Sequence, residues 1–337
     1  MVDMKEYYRT PIPLDAGQVG GWKSIEIEES SEPLVSVGAY ATEAGTLLVS
    51  SVYYGEHNNS PYIGKDRLAG SLLSVFVRKG VAKRLLEAQQ HLPEGYHLLV
   101  FDAYRPLQVQ DSLFRAYRDQ LQLQCPDMDK DEVNAETQKY VSIPSSDPGR
   151  PSPHNTGGSV DLAIVKLPHT QSAILGRLDD RLTNEHLDIE DRAMLETQKS
   201  AIVRRHAEML DFGTPFDHGG ERAAIAYFEK RLASGISLSP EETEACNNRR
   251  LLYQVMTRAG MQAYAAEWWH YNAPESQMGA AAAGLAKAIY GAATFDARNV
   301  AHEKLRRRVY DKAMQDAGDS RIVTKDWPTE IIGPQNG

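Results

Sequence analysis

Two short segments that lie far apart in the chain constrain its fold more than any other feature. The first covers residues 152–161 and reads SPHNTGGSVD, and the second covers residues 267–270 and reads EWWH. Together they provide two imidazoles, two carboxylates and a glycine pair. That set suits a catalytic zinc site, which takes three protein ligands and leaves one position for water. The chain must therefore fold so that the two segments meet.

Three of these side chains are predicted to bind one zinc ion, namely His154, Asp161 and His270. Glu267 is left over as the general base, since water activated by a metal needs a proton acceptor beside it. Asp161 lies in a predicted strand over residues 159–165, which would hold its side chain on a rigid element. We expect a further strand over residues 261–271. Because positions 267 and 270 face opposite ways on a regular strand, that strand needs a bulge or a strong twist.

Four segments of the chain resemble the zinc D-alanyl-D-alanine dipeptidases, which are related to the zinc D,D-carboxypeptidases of peptidoglycan. Two of the segments are those above, SxHxxGxxxD and ExxH. The third is DAYRP at residues 102–106, and the fourth is DFGTPFD at residues 211–217. All four follow the family's order, from about Tyr53 to Asn272, although Ser159 stands where the family has alanine. The combination is specific, whereas HxxG or ExxH alone would mean little.

The resemblance implies a cell-wall hydrolase, a metallopeptidase that cleaves free D-Ala-D-Ala-type dipeptides. It implies that Arg105 stabilises the oxyanion, that Asp217 and Ser152 hold the substrate's ammonium group, and that Tyr53 lies near it. Each role has a structural alternative: a salt bridge for Arg105, a turn cap for Asp217, a backbone-bonded hydroxyl for Ser152 and sheet packing for Tyr53.

Two other functions stay open at this point. One is a D,D- or L,D-carboxypeptidase acting on peptidoglycan stem peptides, which an open groove without an ammonium-binding carboxylate would favour. The other is a non-catalytic zinc-binding protein, which the presence of Glu267 argues against. Other divalent ions suit the same ligands, so the native metal also stays open.

Composition excludes several classes of partner. A net charge of -9 and a pI near 5.6 argue against nucleic-acid binding, because no basic excess exists to neutralise phosphates. Cys125 and Cys246 are too few for a disulfide framework. No signal-peptide core or membrane-spanning apolar run is visible, which predicts a cytoplasmic protein without a membrane partner. A periplasmic location stays open, since a chain whose signal had been removed would look the same.

The predicted fold is α+β, with a central, mainly antiparallel sheet flanked by helices. Residues 96–101 form an apolar run that predicts a central strand, between helices over residues 81–91 and from Pro106 to about Leu123. Residues 50–54 are a further strand candidate, followed by a turn-rich loop over residues 55–61. We expect a catalytic domain over residues 1–273 and a helical C-terminal extension over residues 274–337.

A helical insertion interrupts the catalytic domain at about residues 166–209. Its second helix is predicted to carry an apolar stripe, which could cover the site, contact a second subunit in a homodimer or decorate the surface. The stripe residues are Ile189, Ala193, Met194, Ala201 and Ile202. In the C-terminal extension, residues 304–308 form a basic run that is expected to be a solvated helix face.

Overall fold

A computed structural model of the protein describes residues 4–43, 45–57, 68–138, 141 and 143–316. The strands are β1 (Glu26–Ile27), β2 (Leu34–Ser36), β3 (Leu48–Val49), β4 (Phe76–Arg78), β5 (Tyr96–Asp102), β6 (Ser159–Lys166), β7 (Glu208–Met209), β8 (Gln262–Tyr264), β9 (Glu267–Asn272) and β10 (Lys287–Ala288). The helices are α1 (Met4–Arg9), α2 (Lys79–Gln90), α3 (Leu107–Gln124), α4 (Lys130–Thr137), α5 (His169–Leu182), α6 (Ile189–His206), α7 (Tyr227–Ala233), α8 (Pro240–Arg258), α9 (Gln277–Ala282) and α10 (Ala297–Asp316).

The main sheet has six strands and confirms the predicted α+β class. Its order is β3-β5-β6-β9-β8, and β7 pairs with the far end of β6. The pairs β5/β6, β6/β7, β6/β9 and β8/β9 are antiparallel, while β3 and β5 run parallel. The sheet is therefore mixed rather than purely antiparallel. Smaller two-stranded pairings join β1 to β10 and β2 to β4.

The predicted central strand over residues 96–101 is confirmed as β5. Its second half, Leu98 to Phe101, is almost fully buried, as expected of an apolar run that is covered on both faces. The flanking helices α2 and α3 are also confirmed, and α2 buries Val81, Leu85 and Leu86. Because β5 ends at Asp102, the next residues emerge at the edge of the core.

The predicted single strand over residues 261–271 is wrong in its continuity, because β8 and β9 form a hairpin. The predicted bulge is present. Tyr264 pairs with Glu267, whereas its neighbour Ala263 pairs with Tyr271. Residues 268–270 of β9 therefore form the bulge, because they are inserted between two adjacent positions of β8. This bulge removes the strict alternation of a strand and lets Glu267 and His270 approach each other.

The strand candidate at residues 50–54 is also wrong, since the strand is β3 and the chain turns after it. The chain leaves the sheet after Val52, whose amide still donates to the Phe101 carbonyl of β5 at 3.2 Å, and the Ser51 amide donates to the Glu56 carboxylate at 3.0 Å. Gly55 adopts a left-handed φ of 72° within the turn. Residues 58–61 of the predicted loop lie outside the described residues.

The insertion is helical as predicted, but its buried face follows the predicted apolar stripe only in part, since Ala193 and Ile202 are buried while charged residues are buried as well. Ile189 is 38% exposed, whereas Glu196 is fully buried and Lys199 is 2% exposed. The physical reason is charge pairing with α10. His302 on α10 approaches Glu196 at 2.7 Å between Nε2 and Oε2. The solvated-face prediction for residues 304–308 is wrong at Arg306, which is fully buried.

Among the described residues, no helix is both long enough and apolar enough to span a membrane.

Gly17 generates a prediction about the hairpin that carries Glu267. It has a φ of 70°, and a Cβ there would lie 2.6 Å from the Ala265 nitrogen. We expect Gly17→Ala to lower the free energy of unfolding by about 2–4 kcal/mol, from left-handed strain plus a clash with backbone. Gly235→Ala is the control, because Gly235 has a φ of 76° but no described atom within 4 Å of the added carbon. If denaturant unfolding showed the same loss of free energy of unfolding in both variants, the close contact at Gly17 would be contradicted.

Candidate active site

The structure brings His154, Asp161 and His270 together in the protein interior. His154 begins a short 3-10 turn before β6, and Asp161 on β6 lies directly opposite His270 on β9. His154 Nε2 is 3.2 Å from His270 Nδ1, and Asp161 lies 2.9 Å from His270 Nδ1 and 3.4 Å from His154 Nε2. One ligand atom from each residue therefore faces a common point.

The outer nitrogen of each imidazole faces a hydrogen-bond acceptor. His154 Nδ1 donates to the Ala103 carbonyl at 3.0 Å, with Asp102 Oδ2 at 3.2 Å. His270 Nε2 donates to Asn272 Oδ1 at 3.1 Å, and the same oxygen accepts from Ser159 Oγ at 2.7 Å. These partners leave the inner nitrogens to present lone pairs, the arrangement by which outer partners orient histidine ligands of metals.

The charges around this point favour a cation. Burial lowers the pKa of His154 to about 3, so its imidazole is neutral. Burial alone would lower the pKa of His270, but the hydrogen bond that its imidazole donates to Asp161 raises it. Burial alone would raise the pKa of Asp161, but the two histidines and Arg105 outweigh this effect and hold the pKa below its usual value. Two imidazole nitrogens and one carboxylate are also the donor chemistry of catalytic zinc sites, so these residues fit a zinc ion.

Arg105 is buried beside this point and is held on three sides. Its guanidinium donates to Asp102 Oδ2 at 2.9 and 2.7 Å, to Gln110 Oε1 at 2.8 Å and to the Tyr53 hydroxyl at 3.0 Å. It also lies 3.7 Å from Asp161 Oδ2. The salt bridge that the sequence left open is therefore present, and it fixes Arg105 next to the candidate ligands.

Glu267 lies at the more open side of the site. Its Oε2 is 3.7 Å from His270 Nδ1, and its side chain is 32% exposed, compared with 6% for His270. Desolvation raises the pKa of Glu267 to about 7, and the nearby charges of Asp161 and Asp217 add to the rise. A carboxylate with a pKa near neutrality can take up and release a proton at physiological pH.

Asp217 and Ser152 have distinct local surroundings. Asp217 adopts a left-handed φ of 63°, a conformation that is costly for residues other than glycine and that often marks functional positions. Its neighbour Phe216 anchors the turn, with ring centroids 5.1 Å from Phe101 and 5.3 Å from Trp269. The Ser152 hydroxyl is buried and accepts from the Asn155 amide at 3.3 Å.

A small cavity of about 20 Å³ adjoins Arg105. Tyr53 lies in its wall, where the ring stacks on the Arg105 guanidinium at 4.8 Å. The lining combines three segments: the turn after β3, the chain before β4 and the end of β5. It includes Ser51, Tyr53, Ser71, Ser74, Asp102 and Arg105.

Sequence reasoning assigned no role to Asp102, to the Ala103 carbonyl or to Asn272. Asp102 contacts both Arg105 and His154, and Asn272 orients His270. Asp102 was detectable as the polar residue that ends a buried strand and starts the DAYRP segment. The carbonyl carries no side-chain signal, and Asn272 is recognisable once its strand pairing is known.

Comparison with known proteins relates this arrangement to one family. A family model described as D-ala-D-ala dipeptidase matches residues 42–193 and 193–287, more than half of the chain. The D-alanyl-D-alanine dipeptidase of Synechocystis sp. is 24% identical over 270 residues, which cover 74% of this chain and 85% of that protein. The enzyme of the same name from Enterococcus faecalis is 26% identical over 242 residues, covering 68% of this chain and 92% of the relative.

The convergence of three ligand atoms predicts the effect of removing an imidazole. We expect His154→Ala and His270→Ala each to lose bound divalent metal, because two remaining ligands hold a metal weakly. Metal analysis after gel filtration is the measurement. His169→Ala is the control, since the His169 side chain is 82% exposed. Retention of one tightly bound metal ion per chain in both site variants would show that these residues are not ligands.

Proposed function

The chain belongs to the D-ala-D-ala dipeptidase family and is a metallopeptidase, and from this premise we propose that it hydrolyses free dipeptides of the D-alanyl-D-alanine type. The observation that carries the proposal is the convergence of His154, Asp161 and His270, with Glu267 and Arg105 on either side. The names of the relatives support the substrate class.

In this proposal His154, Asp161 and His270 hold one zinc ion. When bound, zinc supplies a Lewis acid that polarises a carbonyl and brings the pKa of water to about 7. The Ala103 carbonyl and Asn272 keep the two imidazoles in the required orientation. Outer partners of this kind commonly change metal affinity or activity by about 10- to 100-fold.

Glu267 acts as the general base. Its carboxylate accepts the proton of the attacking water and then delivers it to the leaving amine, which its pKa near neutrality allows in both directions. Partial exposure of the side chain leaves room for water and substrate beside it.

Arg105 donates one hydrogen bond to the developing oxyanion, a contribution of about 3 kcal/mol for one donor. Its contacts with Asp102, Gln110 and Tyr53 hold the guanidinium before the reaction begins. Little reorganisation is then needed when the oxyanion forms.

Asp217 and Ser152 bind the substrate's ammonium group, with Tyr53 nearby. A carboxylate is the natural partner of an ammonium ion. The charge of Asp217 acts on the site electrostatically, because it contributes to the raised pKa of Glu267. An ammonium contact would restrict the enzyme to substrates with a free amino end, which separates a dipeptidase from an enzyme that trims a polymer.

The assignment of the base predicts a separation of catalysis from metal binding. We expect Glu267→Gln to retain metal and fold while kcat falls about 100- to 10,000-fold, the usual contribution of a general base. Turnover, metal content and melting temperature are measured on one preparation, with Glu241→Gln as the surface control because Glu241 is exposed. Loss of metal would make Glu267 a ligand, and near-parental kcat with full metal would exclude it as the base.

The assignment of the ammonium site predicts a preference for unblocked dipeptides. We expect Asp217→Asn to raise KM about 10-fold or more with metal content unchanged, because a charge-assisted hydrogen bond is lost. N-acetylated D-Ala-D-Ala should be a poor substrate of the parent enzyme. Asp211→Asn is the control in the same segment, since Asp211 is exposed. Equal turnover of blocked and free dipeptides would instead favour a carboxypeptidase.

A further inference from the structure

Helix α10 lies beyond the residues that match the family model, yet it contacts the turn after β3, which lines the cavity beside Arg105. The Arg306 guanidinium donates to Glu56 Oε1 at 2.8 Å, and both side chains are completely buried. The other oxygen of Glu56 accepts from the Ser51 amide at 3.0 Å. Tyr310 donates to the Glu56 carbonyl at 2.7 Å. Helix α10 thus holds the turn at Glu56, and the Glu56 carboxylate in turn binds the Ser51 amide at the start of the turn.

The same helix also holds the segment before β4, which forms the opposite wall of the cavity. The Glu303 carboxylate accepts from the Leu73 amide at 2.8 Å and from the Ser74 amide at 2.9 Å. Arg307 pairs with Glu303 and donates to the Ser71 carbonyl at 2.6 Å. Two successive turns of α10 therefore contact two walls of the cavity that are separate in the chain.

Helix α6 of the insertion completes the network around Arg306. Thr197 accepts from the second guanidinium nitrogen at 2.9 Å, and Ser200 donates to Glu56 Oε1 at 2.5 Å. Directional bonds among buried charged and polar groups define one geometry. An apolar contact of similar size would tolerate sliding of α10 against the turn.

A short path of contacts leads from this network to the reaction site. Arg306 holds Glu56, which caps the turn that contains Tyr53. The Tyr53 hydroxyl accepts from Arg105 at 3.0 Å. A shift of the turn would therefore move Tyr53 and remove one of the contacts that fix the guanidinium.

We propose that Arg306 and Glu303 are positioning residues, through which the C-terminal helix sets the two walls of the cavity beside Arg105. The identity of the ligand bound in the cavity rests on the proposed function, whereas the inference that α10 positions the cavity walls does not. The two residues act through Tyr53, Ser74 and Arg105 and need not touch the substrate.

The test compares two arginines of one helix. Arg306→Met removes the buried charge, and Arg308→Met is the matched control because Arg308 is exposed. Below the melting temperature of both variants, we expect Arg306→Met to raise KM for D-Ala-D-Ala and to lower kcat/KM about 10- to 100-fold, since small misplacements have effects of this size. Metal content should stay at the parental level. A smaller folded fraction would lower Vmax alone, so the raised KM separates positioning from loss of fold.

Two further variants keep the test decisive if Arg306→Met does not fold. Tyr310→Phe removes the hydroxyl that donates to the Glu56 carbonyl, and we expect a smaller rise of KM in the same direction. Arg306→Lys restores the charge beside Glu56, and we expect it to recover part of the loss. Parental KM in Tyr310→Phe and in every folded Arg306 variant would overturn the proposal, even if melting temperatures fell.

Amide hydrogen exchange separates this inference from the proposed function. In Arg306→Met or Tyr310→Phe, we expect faster exchange in residues 51–57, and in Glu303→Gln faster exchange in residues 71–74, with β5 and β6 unchanged. If the parent hydrolyses no dipeptide, the proposed function fails, and this exchange pattern still supports positioning of the cavity walls. Unchanged exchange in both segments would overturn it whatever the activity.

Discussion

The pairing of β6 with β9 is the constraint on which the rest of the site depends. It places Asp161 opposite His270 and Ser159 opposite Asn272, so one register aligns two candidate metal ligands and the hydrogen bonds that orient His270. A slip by one residue would turn Asp161 to the other face of the sheet. The bulge in β9 then works within this register, because it lets Glu267 reach the same side as His270 without disturbing the pair.

Much of this arrangement was predictable, because the residue types present and their local sequence pattern indicate the same structure. The residue types of the segments 152–161 and 267–270 indicate a metal site, and the apolar run at residues 96–101 predicts β5. The bulge was predicted from the need to bring Glu267 to His270. The break between β8 and β9 was not, since two residues of a tight hairpin turn barely interrupt an aromatic-rich run. Asp102 and the Ala103 carbonyl matter through distances, which a sequence does not contain.

For charged residues in α6 and α10, the periodicity of apolar residues predicts burial incorrectly. A count of apolar positions places Arg306 on a solvated face and leaves Glu196 outside any core, yet both side chains are fully buried. A buried ion pair and two exposed charges have the same local sequence signature, because the difference lies in the partner helix. Knowledge that α6 and α10 pack together would have been required to predict the network.

Burying charged side chains at the contacts of α10 carries a large desolvation cost, and that cost bears on the role of α10. Apolar residues of similar volume are often equally or more stabilising than a buried ion pair, whereas removal of one partner leaves a costly unpaired charge. Stability alone therefore does not account for Arg306 and Glu56, or for Glu303 binding two amides in succession. These contacts fix direction and register at the walls of the cavity. The role proposed for Arg105 requires the same definition, since a preorganised donor is effective when its position is set before the charge develops.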